Sequence, residues 1–106
     1  MTEFNGLGMS LGNLSRLSDA ESRSISSENR SGAKGRGGMD PAGPDSPSRD
    51  LGTGWKCHPC DRIEPGETYV MADIEGPGAI QSIWLTGAMS RDFILRIYWD
   101  GQKHPS

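Results

Sequence analysis

Four runs of strand-forming residues, separated by turn signals, fill the second half of this 106-residue chain and constrain its fold more than any other feature. Trp55 to Ile63 is the first run. Thr68-Tyr69-Val70-Met71-Ala72-Asp73-Ile74 is the second, rich in β-branched and aromatic residues. Ala79 to Thr86 is the third and alternates: Ile80, Ser82, Trp84 and Thr86 fall on one side, Gln81, Ile83 and Leu85 on the other. Phe93-Ile94-Leu95-Arg96-Ile97-Tyr98-Trp99 is the fourth and strongest. Glu64-Pro65-Gly66-Glu67 and Glu75-Gly76-Pro77-Gly78 are turn sequences between them. Strands this close together predict an all-β fold, an antiparallel meander of about four strands belonging to a sandwich or barrel.

The first half reads differently. Leu7, Leu11, Leu14 and Leu17 recur at helical spacing, which predicts a short helix or helical turn weakened by Gly12. Beyond it, Gly32-Ala33-Lys34-Gly35-Arg36-Gly37-Gly38 is too rich in glycine for regular structure. Pro41, Pro44 and Pro47 continue the segment as an exposed loop. Of the 15 glycines, 10 lie in residues 1–54, and all three Trp and both Tyr lie in 55–106. The expected organisation is a helix-and-loop extension over 1–54 and the first strands of a β-sandwich over 55–106. The low overall hydrophobic content of 33% therefore comes from the entry segment; the strand half is ordinary in composition.

Several classes are excluded. No run approaches the roughly 18 apolar residues of a membrane span, and no charged start followed by an apolar stretch marks a signal peptide, so a cytoplasmic location is expected. A net charge of −3 does not supply the broad basic field of a general nucleic-acid binder. Two cysteines cannot build a disulfide framework. No cofactor is expected.

The last residues pose a pairing problem. Asp100-Gly101 after an alternating strand is a strong hairpin signal. Only Gln102 to Ser106 follow, and Pro105 has no N–H to give a ladder. The final strand would then be an exposed apolar edge. The expectation is a sheet that continues beyond residue 106, so that the chain is an N-terminal fragment of a larger domain.

Candidate chemistry is sparse. Cys57-His58-Pro59-Cys60 has the spacing of half a zinc site or of a redox pair. His104 is the one other histidine, and the flanks read as strands, so two incidental strand thiols are expected. The Gly32–Gly38 loop invites a phosphate reading, but the Gly-x4-Gly-Lys-Ser/Thr pattern is missing and no strand leads into it. The main expectation there is a mobile loop or one ordered by a partner. The functional alternative is a loop that presents Glu28, Asn29 and Arg30 to a polar ligand, since Arg and Asn make directional hydrogen bonds to hydroxyls or carboxylates. Trp84 and Trp99 could stack on sugars, although strand tryptophans are usually core residues. Glu64, Glu67, Asp73 and Glu75 sit beside turns. A retaining glycosidase needs its carboxyls about 5–5.5 Å apart, and nothing in their spacing imposes that.

Several ordered segments together resemble a known family. They are Asn13-Leu14-Ser15-Arg16-Leu17, Ser24-Ile25-Ser26-Ser27-Glu28-Asn29, Gly32-Ala33-Lys34-Gly35, Arg49-Asp50-Leu51-Gly52 and Gly54-Trp55-Lys56. Ala72-Asp73-Ile74-Glu75-Gly76-Pro77-Gly78-Ala79-Ile80-Gln81, Ile83-Trp84, Arg91-Asp92, Leu95-Arg96-Ile97-Tyr98-Trp99-Asp100 and His104-Pro105-Ser106 complete the set. Together they resemble glycoside hydrolase family 172, a bacterial family long known as a domain of unknown function. Its characterised members act on fructofuranosides, including difructose anhydrides, and on D-arabinofuranan.

The resemblance implies a partial jelly-roll β-sandwich here, two such domains in a full subunit, and assembly as trimers or larger oligomers. It implies a retaining mechanism in which one glutamate attacks the anomeric carbon and another serves as acid, then base. Those glutamates lie downstream in relatives, and no residue of this chain matches them. No catalytic and no metal-binding residue is therefore assigned. Glu28, Asn29, Arg30 and Trp84 are the candidates for substrate contact; Arg30 could equally touch a neighbouring subunit. Cys57 and Cys60 are a departure from the family, where both positions are not usually Cys. The expected partner is a carbohydrate substrate of the whole protein, with no nucleic acid and no membrane. The rival expectation is a non-catalytic β-sandwich module that assembles through its free edge.

Overall fold

The turns form where local chemistry demands them, while the strand-forming runs between them build no ladder among the described residues. The computed structural model describes residues 4–87 and 91–106. At Glu64-Pro65-Gly66-Glu67 the Glu67 amide donates to the Glu64 carbonyl at 3.0 Å. Pro65 occupies the second position, and Gly66 (φ 80°) occupies the third, where positive φ is required. Asp100 (φ 48°) and Gly101 (φ 74°) both adopt the positive φ of a tight hairpin turn. The Gln102 amide closes that turn on the Trp99 carbonyl at 2.9 Å. The chain then bends back once more, and the Ser106 amide donates to the Ile97 carbonyl at 2.9 Å.

No strand ladder forms among the described residues, so the four-strand meander expected over 55–99 is not seen as paired strands there. The one β-bridge joins Ser26 to Asn29. Residues 79–86 and 93–99 do run near one another. They flank an open groove of about 410 Å3 lined by Ile80, Gln81, Ser82, Ile83, Ile97 and Trp99. No backbone hydrogen bond joins them among the described residues. The reason is physical: a lone pair of strands is marginal in water, and a sheet becomes stable only when three or more strands bury a shared face. Here nothing covers that face. Among the described residues no hydrophobic residue is buried, and Val70, Ile74, Trp84 and Ile94 are each more than half exposed. The radius of gyration is 17.4 Å, against about 13 Å for a compact chain of this size.

The leucine stripe also falls short of its predicted helix. One 3-10 turn, Leu11–Asn13, forms. Asn13 organises it, accepting from the Ser10 amide at 2.8 Å and donating to the Gly8 carbonyl at 3.0 Å. Leu11 and Leu17 are each 91% exposed. Isolated helices below about 12 residues are marginal, and this stripe has no surface to lie on. Among the described residues no helix is long and apolar enough to cross a membrane.

The 24–39 segment carries a close succession of hydrogen-bonded turns. Ser26 and Asn29 exchange both backbone hydrogen bonds, at 3.1 and 3.0 Å, and close a tight turn. Further turns follow over 29–32, 33–36 and 36–39, closed by the Gly32, Arg36 and Met39 amides. The loop that sequence composition marks as irregular is therefore a succession of defined turns. Among the described residues the buried positions are Glu28, Gly32 and Ser48, and two of these three lie in this segment.

Candidate functional site

The tight turn at Ser26–Asn29 and the residue after it project the side chains of Ser27, Glu28 and Arg30 onto the 57–69 segment, far away in sequence. Ser27 Oγ donates to the His58 carbonyl at 2.6 Å. Glu28 Oε1 accepts the backbone amides of Cys57 and His58 at 2.7 and 2.6 Å. Glu28 is 8% exposed. The two amide donors, from His58 and then Cys57, hold its carboxyl below the usual range, and the Lys56 and His58 charges add to this against the effect of burial. An acid held ionised by main-chain donors is a clamp between two segments.

Arg30 reaches further along the same segment. Its Nη1 donates to the Tyr69 hydroxyl at 2.6 Å, and its Nη2 donates to Asp61 Oδ1 at 2.5 Å. Tyr69 in turn donates its hydroxyl proton to Asp61 Oδ2 at 2.5 Å. The three groups close a ring, with the Arg30 guanidinium 5.5 Å from the centre of the Tyr69 ring. Accepting that proton suits Asp61 and resists phenol ionisation, so the Tyr69 pKa is raised; burial and the Asp61 charge act the same way, while Arg30 opposes them. Asp61 is 15% exposed and Arg30 is 55% exposed, so the ring has an inner carboxylate and an outer guanidinium open to solvent. His58 sits beside it, with Nε2 3.4 Å from Asp61 Oδ1 and Nδ1 3.8 Å from Asp40 Oδ2.

Asn29 points the other way. Its Nδ2 donates to the Ala33 carbonyl at 3.0 Å and the Ser24 carbonyl at 3.4 Å. It braces the two arms of its own loop. Trp84 is 82% exposed, and no hydrogen bond joins it to the cluster among the described residues. The structure thus brings Glu28, Asn29 and Arg30 together on one turn and leaves Trp84 apart from it. It adds Ser27, Asp40, His58, Asp61 and Tyr69, which the sequence reading did not single out. Their separations from the loop, 31 residues for Arg30–Asp61 and 39 for Arg30–Tyr69, give no periodic signal that could have found them.

The chemistry open to this cluster is recognition. A nucleophilic carboxylate must be free to reach an anomeric carbon. Glu28 is held by two amides, and Asp61 is held by Arg30 and Tyr69. The cysteines are both free thiols. Cys57 is half-buried and its Sγ donates to the Asp40 carbonyl at 3.4 Å. Burial first, then the Glu28 and Asp40 charges, push its thiol pKa up, which is opposite to what a reactive cysteine needs. Among the described residues no group of three or more His, Cys, Asp or Glu is arranged to hold a metal ion.

Residues 18–106 match the family model described as the GH172 first beta-sandwich domain. The chain belongs to glycoside hydrolase family 172, and the matched region is the first β-sandwich domain of that family. The match runs through the 26–30 turn, the 57–69 segment it docks on and both apolar segments near the end of the chain. No curated protein and no solved structure matches the chain.

Proposed function

We propose that this chain serves as the first jelly-roll domain of a retaining glycoside hydrolase that acts on furanosides, either fructofuranosides or D-arabinofuranosides, within a homo-oligomer. The observation that carries the reading is the family match over residues 18–106. In this reading the catalytic glutamates are supplied from outside these residues, and the chain alone does not turn over substrate. The strands that would pair with 68–74, 79–86 and 93–99 also come from outside the described residues. The 26–30 turn then borders the sugar site or a subunit contact. Arg30 offers its solvent-facing edge to hydroxyls, Asn29 holds the turn in shape, and Glu28 sets its position from beneath. Trp84 offers an open aromatic face, of the kind on which a sugar ring stacks.

The test is hydrolysis of aryl fructofuranosides and aryl arabinofuranosides by the purified chain. No turnover above buffer is expected, and measurable turnover abolished by Glu28→Gln would overturn the division of labour.

A second reading is favoured by one observation, the exposed apolar segments that form no strand ladder among the described residues. An edge of that kind can be completed by a second chain, which would make the domain a non-catalytic assembly module. Size-exclusion chromatography with light scattering separates the two readings. A discrete dimer or trimer supports the module, and an expanded monomer or aggregate supports a sandwich lacking its partner strands.

A further inference from the structure

We propose that the pocket between residues 22–26 and 32–37 binds a tetrahedral oxyanion of the phosphate class, with Lys34 as its charge. The pocket has a volume of about 220 Å3 and opens to solvent, which is room for a group several times the size of a water. Its walls carry Ser22, Ser24, Ser26, Arg23 and Lys34, and no Asp or Glu. A wall with two cations and no carboxylate stands out in a chain whose net charge is −3. Arg23 is already paired with Glu21 and also donates to the Ser22 carbonyl. Lys34 has no carboxylate partner among the described residues, and so supplies the uncompensated charge.

The backbone supports the same ligand. Gly35 (φ 72°) sits at the third position of the 33–36 turn, and Gly37 lies just beyond it. Gly35 and Gly37 both line the pocket and carry no side chain, so they present main chain to it. The amides of Lys34, Gly35 and Gly37 have no acceptor within the chain among the described residues. Unpaired amides beside a lysine are the donor set that phosphate oxygens take. The pocket is also braced: Asn29 Nδ2 bonds both the Ser24 and the Ala33 carbonyl and so ties one wall to the other. That brace removes part of the ordering cost a flexible glycine loop would otherwise carry on binding. A pocket of about 220 Å3 suits a single phosphate group, either free or carried on a sugar.

The test is a 1H–15N NMR titration of the full 106-residue chain with inorganic phosphate, with fructose 6-phosphate, and with sodium chloride at matched ionic strength. Saturable shifts confined to residues 22–37 are expected, with an affinity on the order of 1 mM. Lys34→Met should weaken binding by about tenfold or more, the usual effect of losing a charge-assisted bond, and Arg62→Met should leave it unchanged. Fructose 6-phosphate binding more tightly than phosphate identifies a sugar phosphate as the ligand; equal binding identifies the free ion. Either supports the site. Shifts reproduced by chloride, no saturation, or a Lys34→Met chain that titrates like the parent would overturn it.

Discussion

Arg30 Nη2 lies 2.5 Å from Asp61 Oδ1, across 31 positions of the sequence, and the Tyr69 hydroxyl bridges the two. This ring and the Glu28 clamp beside it tie distant segments together where no hydrophobic residue among those described is buried. Polar contacts rather than a core hold the 26–30 turn to the 57–69 segment. Each therefore has a measurable consequence for local order.

Glu28 gives the first. Its carboxyl titrates below 4.5 because the charged form is the one the His58 and Cys57 amides bind. A depressed folded-state value stabilises docking above the unfolded value and releases it as pH falls through the folded one. The His58 and Cys57 amides should keep their shifts at neutral pH and lose them as pH falls through the depressed Glu28 titration, below the usual carboxylate range. Glu28→Ala should abolish their protection from hydrogen exchange at neutral pH. Glu28→Gln, which keeps an acceptor without the charge, should retain part of it.

Tyr69 gives the second. Removing its hydroxyl by Tyr69→Phe should destabilise docking of the turn by about 1 kcal/mol, the usual net value of one hydrogen bond. Hydrogen exchange of the 57–61 amides measures this. In the parent chain the phenol should ionise above pH 10, the direction set by the Asp61 hydrogen bond. Asp61→Asn should lower that midpoint, because it removes the carboxylate that accepts the proton. Ultraviolet difference titration reads both, and an unchanged midpoint in the variant would contradict the ring.

Gly32 gives the third. It is buried with φ 65°, and a Cβ there would lie 2.9 Å from Ile25 Cγ1. Gly35 has a similar φ of 72° but open space around it. Gly35→Ala should cost about 1 kcal/mol in local stability from backbone strain alone. Gly32→Ala should cost more, since Ile25 must also move, and should disturb the Ser26 and Asn29 amide shifts.

The cysteines give the fourth. Cys57 is half-buried, donates to the Asp40 carbonyl and has a raised thiol pKa, while Cys60 is exposed. Iodoacetamide at pH 8 should alkylate Cys60 well before Cys57, as read by peptide mass spectrometry. Asp40→Asn should speed the reaction of Cys57 by removing one of the charges that raise its pKa.

Much of this was legible in the sequence, in proportion to how local the cause is. The turns at Glu64–Glu67 and Asp100–Gly101 form where Pro-Gly and Asp-Gly place them, because their φ values follow from the residues themselves. The Glu28-Asn29-Arg30 group was visible as a polar loop, and the ordered segments around it were enough to suggest the family. The leucine stripe was misleading: its spacing suits a helix, but a helix needs a surface to bury that stripe against, and Leu11 and Leu17 face water.

The sequence by itself determined the turns, the strand-forming runs and the family of this protein. The tertiary structure decided which distant groups meet: Glu28 with the amides of Cys57 and His58, and Arg30 with Asp61 and Tyr69. Among the described residues it also leaves the apolar runs without a strand ladder. The physical reason is the same in both cases. A turn closes on atoms three residues apart. A ladder or a charge ring closes only when a long loop is brought back, and its stability depends on what lies on the far side.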